Sequence, residues 1–165
     1  MADLTITERL QPSLLDRLTD TDPSNPNETR DSRVIDIRRL RDIIQRDLSW
    51  LLNSQNAETL IDAVRYPNAS ESVLNFGLKE VTGEYSSVER AQLIRASISR
   101  AISLFEPRIA PGSLDVELLP GDSARQSIVT FEIRADMWAQ PVPMELYLRS
   151  EVDVTTGELK LERRG

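Results

Sequence analysis

The chain has 165 residues and a formal net charge of -7, with neither cysteine nor histidine. That absence excludes disulfides, thiolate nucleophiles, zinc-finger ligands and every catalytic scheme that uses imidazole as base or metal ligand. Carboxylate pairs, Ser/Lys chemistry and oxygen-ligated metals remain open. Acids and bases are interspersed, so no strong positive field exists to hold a phosphate backbone, and no nucleic-acid partner is expected.

The length suits one core, which would bury roughly two-thirds of the unfolded surface without metal or disulfide help. The opening MADLTITERLQPSLLDRL carries charges every few residues and no apolar run of signal-peptide length, and no later stretch approaches ~18 apolar residues. A soluble, cytoplasmic protein without direct membrane insertion is expected.

In chain order, PSLLDRL comes first. If it is helical, Leu14, Leu15 and Leu18 share a face, which either folds back on the core or docks on another subunit. Residues 19–32, TDTDPSNPNETRDS, are too polar to order themselves cheaply and read as a linker. Residues 1–31 are thus a docking segment with a polar linker, and 32–165 one domain.

From Asp31 or Ser32 as N-cap, a helix is expected to run to about Asn53. Val34, Ile37, Leu40, Ile44, Leu48, Leu51 and Leu52 recur at helical spacing, while Arg33, Arg38, Arg39, Asp42 and Arg46 form a charged face that is either solvated or meets an acidic partner. Pro67, Gly77 and Gly83 break the following stretch into short turns and loops. Ser86 with Glu89 has capping-box spacing and opens a second helix through Ala91, Ile94, Ile98, Ala101, Ile102 and Phe105.

Pro107 stops that helix, and the apolar period changes from 3.6 to 2. Leu114, Val116 and Leu118 alternate with acids; Val129, Phe131, Ile133, Ala135 and Met137 alternate with Thr130, Glu132, Arg134 and Asp136; the pattern continues through Met144, Leu146, Leu148, Ser150 and Val152. A turn at Thr156-Gly157 leads to a last strand near Leu159 and Leu161. The class is therefore α+β, with N-terminal helices packed on one face of a C-terminal antiparallel sheet of about four strands. The edges of such a sheet are either protected or used for strand addition by a partner.

No Gly-rich phosphate loop, GxSxG elbow or EF-hand spacing is present, and no cofactor or metal is expected. Glu106-Pro107-Arg108 allows three readings: a helix stop with a solvated ion pair, an active-site acid, or a charged joint gripped by a partner. The acid reading needs a carboxyl kept protonated in an apolar pocket and a second carboxylate across the bond. Arg108 works against it, because in an extended segment its guanidinium lies on the Glu106 side and favours the charged form. No catalytic residue is assigned.

Four stretches, PSLLDRL, DLSWLLNSQ, YPNASESVLNFGL and FEPR, together with WAQPVPMELYLRSEVDVTTGEL in the sheet, resemble the TssE family of type VI secretion baseplate proteins. That family is related to phage baseplate wedge proteins and is often labelled lysozyme-like. The resemblance implies a non-enzymatic structural subunit of a contractile injection machine, joined to the wedge subunits TssF and TssG and contacting the base of the TssB–TssC sheath. It implies that Glu106, Pro107 and Arg108 belong to the wedge's central joint, and that the sheet edge templates strand exchange by the sheath. One departure is Gln55, where members of the family commonly carry arginine. The runner-up readings are a peptidoglycan hydrolase using Glu106 and a generic α+β interaction adaptor.

Overall fold

The computed structural model describes residues 13–19, 23–24, 37–79, 87–120, 127–137 and 144–163. The expected N-caps Asp31, Ser32 and Ser86, most of the 19–32 linker, Val34, Gly83 and residues 138–143 lie outside them. Chain order gives helices α1 (Leu14–Leu18), α2 (Ile37–Leu52), α3 (Pro67–Ser70) and α4 (Ser87–Phe105), with a 3-10 turn at Val73–Asn75 between α3 and α4. Strands β1 (Asp115–Leu118), β2 (Ile128–Met137), β3 (Met144–Asp153) and β4 (Leu159–Arg163) follow. The α+β expectation holds: the strands form one antiparallel sheet in the order β1-β2-β3-β4.

The two periodicities explain the packing. On α2, Leu40, Ile44, Leu48, Leu51 and Leu52 are buried together with Ile43; on α4, Ala91, Ile94, Ile98, Ala101 and Ile102 are buried. These stripes meet the inward row of the sheet, Val116, Phe131, Ile133, Ala135, Met137, Leu146, Leu148, Val152 and Leu159, in one hydrocarbon core. Alternation on the outer face is less regular than expected. Thr130 and Glu132 are buried there, with Glu132 accepting hydrogen bonds from the Tyr147 hydroxyl and the Arg134 guanidinium.

At the β3–β4 turn, Gly157 takes φ +77° and its N–H reaches Asp153 O at 2.7 Å. The Asp153 carboxylate accepts from the Thr155 and Thr156 amides, which hold it below its ordinary range.

The outer edge of β4 is protected by side chains of α2 and of the residue that follows it. Asn53 acts like a strand residue: its Oδ1 accepts from Leu159 N and its Nδ2 donates to Leu159 O, each at 2.9 Å. Gln45 Nε2 donates to Leu161 O at 3.0 Å. Two amides thus occupy three of the backbone groups that an incoming strand would need, Leu159 N, Leu159 O and Leu161 O. By contrast, β3 pairs with β4 only from Leu148 onward, so Met144–Tyr147 have only β2 as strand partner among the described residues.

Candidate functional site at the end of the second long helix

Pro107 ends α4 as expected, with Phe105 the last helical residue and Glu106 N still donating to Ile102 O at 2.9 Å. The chain then turns so that Glu106 points inward and Pro107 outward. The Glu106 side chain is 4% exposed and that of Arg108 27%. Glu106 Oε1 accepts from Arg108 N at 3.1 Å and Arg108 Nε at 2.6 Å, and Oε2 accepts from Arg108 Nη2 at 2.5 Å. This is a two-point guanidinium–carboxylate fork closed over a single proline, and not a solvated pair.

A third group comes from α2. Arg108 Nη2 also donates to Asp47 Oδ2 at 2.7 Å, across 61 residues of sequence. Burial by itself would lower the Arg108 pKa, but Glu106 first and Asp47 second outweigh it, so the guanidinium is raised well above its ordinary range.

The line of charge continues outward. Asp47 Oδ1 accepts from Arg46 Nε at 3.0 Å and Nη2 at 2.7 Å, and Arg46 Nη1 donates to Asp16 Oδ1 of α1 at 2.7 Å. Glu106, Arg108, Asp47, Arg46 and Asp16 therefore alternate in sign and tie three segments together. The bond from Arg46 holds the Asp16 carboxyl below its ordinary range, and Asp16 in turn raises Arg46. Arg46 also lies 4.9 Å from the centre of the half-exposed Trp50 ring.

The six residues singled out from sequence fall in two places. Glu106, Pro107 and Arg108 form the fork. Leu14, Leu15 and Leu18 lie on α1 as expected, exposed by 73%, 47% and 76%, so they do not fold onto the core. What connects the two places is Asp16, within the same PSLLDRL stretch. The arginine-rich face of α2 is partly met by the chain's own acids, Arg46 by Asp16 and Asp47, and Arg163 of β4 reaches Asp42 at 2.9 Å.

Chemically the fork is an anchor. Both Glu106 oxygens are turned to Arg108, so neither faces an open cleft in which a glycosidic oxygen could be protonated. A cleft of about 430 Å³ lies elsewhere, between the end of α2, the start of α4 and the β3–β4 turn; its described lining includes Lys79 and Arg90 and no carboxylate. Among the described residues no group of three or more acidic side chains could hold a metal ion, and no helix is long and apolar enough to cross a membrane.

Gln55, the departure from the resemblance, forms a parallel bridge with Leu78 at the end of α2. No curated protein and no solved structure matches the chain. The family described as baseplate wedge protein gp25, which includes the TssE proteins, matches residues 38–142. That span takes in α2, α4, the Glu106–Arg108 fork with Asp47, and the first two strands, and the chain belongs to the baseplate wedge protein gp25 family.

Proposed function

We propose that the chain is a TssE-type wedge subunit of a type VI secretion baseplate, acting in the cytoplasm as a structural part and not as an enzyme. A baseplate structural role belongs to the family. In our reading Glu106, Pro107 and Arg108 lock into the TssF–TssG wedge, Leu14, Leu15 and Leu18 add a second apolar contact, and the sheet engages the TssB–TssC sheath.

The observation that carries the reading is the construction of the fork. A charged pair is pinned from beneath by burial and from the side by Asp47, while Pro107 is exposed and the Arg108 side chain stays 27% exposed. A joint needs this combination, because a side chain already fixed in the free protein loses little rotamer freedom on binding. For the sheath, partial cover of β4 by Asn53 and Gln45 leaves the half-edge at Met144–Tyr147 and the outer side of β1 as the candidate places for strand addition.

The test is co-purification with TssF and TssG using wild type, Pro107→Ala and Arg108→Lys, the latter keeping the charge and losing the fork. Loss of the complex in both variants, with melting temperatures within a few degrees of wild type, supports the joint. A retained complex sends the search for the contact elsewhere. The hydrolase alternative is tested on purified peptidoglycan: lysis that disappears in Glu106→Gln would replace this reading.

A further inference from the structure

The Asp47 carboxylate serves two arginines at once, one on each oxygen. Oδ2 accepts from Arg108 Nη2 at 2.7 Å, and Oδ1 accepts from Arg46 Nε at 3.0 Å and Nη2 at 2.7 Å. Arg108 belongs to the fork, whereas Arg46 holds α1 through Asp16. Asp47 is thus the group through which the N-terminal helix and the fork meet.

The bond between Arg46 and Asp47 is an unusual one for a helix. Successive residues point about 100° apart and do not face each other, so a neighbouring pair meets only when both side chains are bent to one side. Each has an outside partner that bends it. Asp16 of α1 draws Arg46 through Nη1 at 2.7 Å, and Arg108 draws Asp47. Trp50, one turn further along α2, has its ring centre 4.9 Å from the Arg46 guanidinium and limits the directions that side chain can take. With either outside partner removed, the other bonds must keep two neighbours in a pairing that the helix alone does not favour.

The inner part of the fork does not depend on α1. Glu106 is buried and takes Arg108 N and Nε on Oε1. The part within reach of α1 is Arg108 Nη2, shared between Glu106 Oε2 at 2.5 Å and Asp47 Oδ2 at 2.7 Å. That sharing fixes the turn of the guanidinium about its Nε–Cζ bond, and with it the face that Arg108 shows to a partner.

We propose that Asp47 is a positioning residue for the joint and that, by giving one oxygen to Arg108 and the other to Arg46, it couples the seating of α1 on α2 to the fixing of the Arg108 guanidinium. Seated, α1 presents a fixed Arg108; lifted, it presents a loosened one, and the linkage acts equally in the other direction. The proposal rests on the wedge reading, which supplies the partner at Arg108. Arg46, Asp47 and Arg108 all keep some exposure, so the coupling has the size of a partly screened pair, about two- to fivefold, and declines in high salt.

Nitrogen-15 NMR of the free full chain tests the coupling by following rotation of the Arg108 guanidinium about Nε–Cζ, the signal being identified by its loss in Arg108→Lys. Asparagine at 47 keeps the shape and offers one acceptor oxygen, enough for one arginine and not for both. Asp16→Ala should speed the rotation about twofold, Asp47→Asn about fivefold, and Asp16→Ala should add nothing in the Asp47→Asn background. Backbone relaxation of Leu14–Leu18 should show α1 loosened in Asp47→Asn and in Arg108→Lys, with melting of each variant within a few degrees of wild type. A merely structural role for Asp47 would leave Arg108 rotation insensitive to Asp16→Ala.

Rotation unchanged in Asp16→Ala, or changed equally with and without Asp47, overturns the inference. Titration with the purified TssF–TssG subcomplex supplies the second reading, in which Asp47→Asn should weaken binding about fivefold. Binding by Asp47→Asn equal to that of wild type overturns the positioning role and leaves the wedge reading standing. Absence of binding by wild type overturns both.

Discussion

Replacing Arg108 by alanine should destabilise the free protein far more than removal of an exposed ion pair would. The substitution takes away the Nε and Nη2 bonds to Glu106 and the Nη2 bond to Asp47, leaving the Glu106 carboxylate, 4% exposed, with Arg108 N as its remaining donor in the fork. Stranding a buried charge in this way costs about 3–5 kcal/mol, against ~0–1 kcal/mol for a solvated pair. A domain with ~5–15 kcal/mol of total stability would lose a large share of it. Glu106→Gln keeps the shape and removes the charge, leaving Arg108 with Asp47, and should cost about 1–3 kcal/mol. The double variant Glu106→Leu/Arg108→Met removes both charges and should be less damaging than Arg108→Ala alone. Urea unfolding at pH 7 followed by circular dichroism measures all three. If Arg108→Ala falls within about 1 kcal/mol of wild type, or the double variant is as damaging as Arg108→Ala alone, the fork is a surface decoration and the argument from burial fails.

Three further outcomes follow from the same geometry. Asp16 has its pKa lowered from an ordinary 3.8, chiefly by Arg46, so its contribution to holding α1 is present above 3.8 and disappears as pH falls through the lower folded value; amide NMR of α1 should show an acid-induced release that Asp16→Asn abolishes. Asn53→Ala strips the partner from both backbone groups of Leu159, should cost about 2 kcal/mol, and should promote self-association through the uncovered β4 edge, visible in light scattering. Gly77→Ala combines a positive φ with a Cβ placed 2.3 Å from Ser54 O, and should lower the melting temperature and raise amide exchange across 54–78.

The elements of the fold are largely readable in the sequence because each obeys one period. The α4 stripe from Ala91 to Ile102 and the β2 row from Phe131 to Met137 are buried as their spacing requires. Glu106-Pro107-Arg108 is readable as a helix stop with neighbouring charges, but whether the pair is solvated depends on what packs over it. Asp47 could not be found from local spacing, since α2 and the fork meet only after the core has formed. Asn53 and Gln45 show no signal at all in sequence, because an amide that mimics a strand partner looks like any polar residue at the end of a helix. Glu132 marks the same limit in the sheet: alternation assigns its face correctly, but gives no sign that Arg134 and Tyr147 close over it.

The choice of charge where hydrocarbon was available bears on how the N-terminal segment works. Beneath α2 the core is built mainly of hydrocarbon side chains, whereas α1 is held through Asp16 and Arg46 while its leucines are exposed. A pair in which the Arg46 side chain remains a third exposed contributes no more than about 1 kcal/mol. Burial of two leucines would contribute roughly 3–6 kcal/mol. An arm held this weakly can leave α2 at little cost, and a partner that covers Leu14, Leu15 and Leu18 gains nearly all of their burial. Hydrocarbon docking on the core would spend that same surface within the chain. In the wedge reading proposed above, the exposed leucines and the single acid between them are two halves of one arrangement, with Asp16 setting where α1 rests and the leucines offered to a partner.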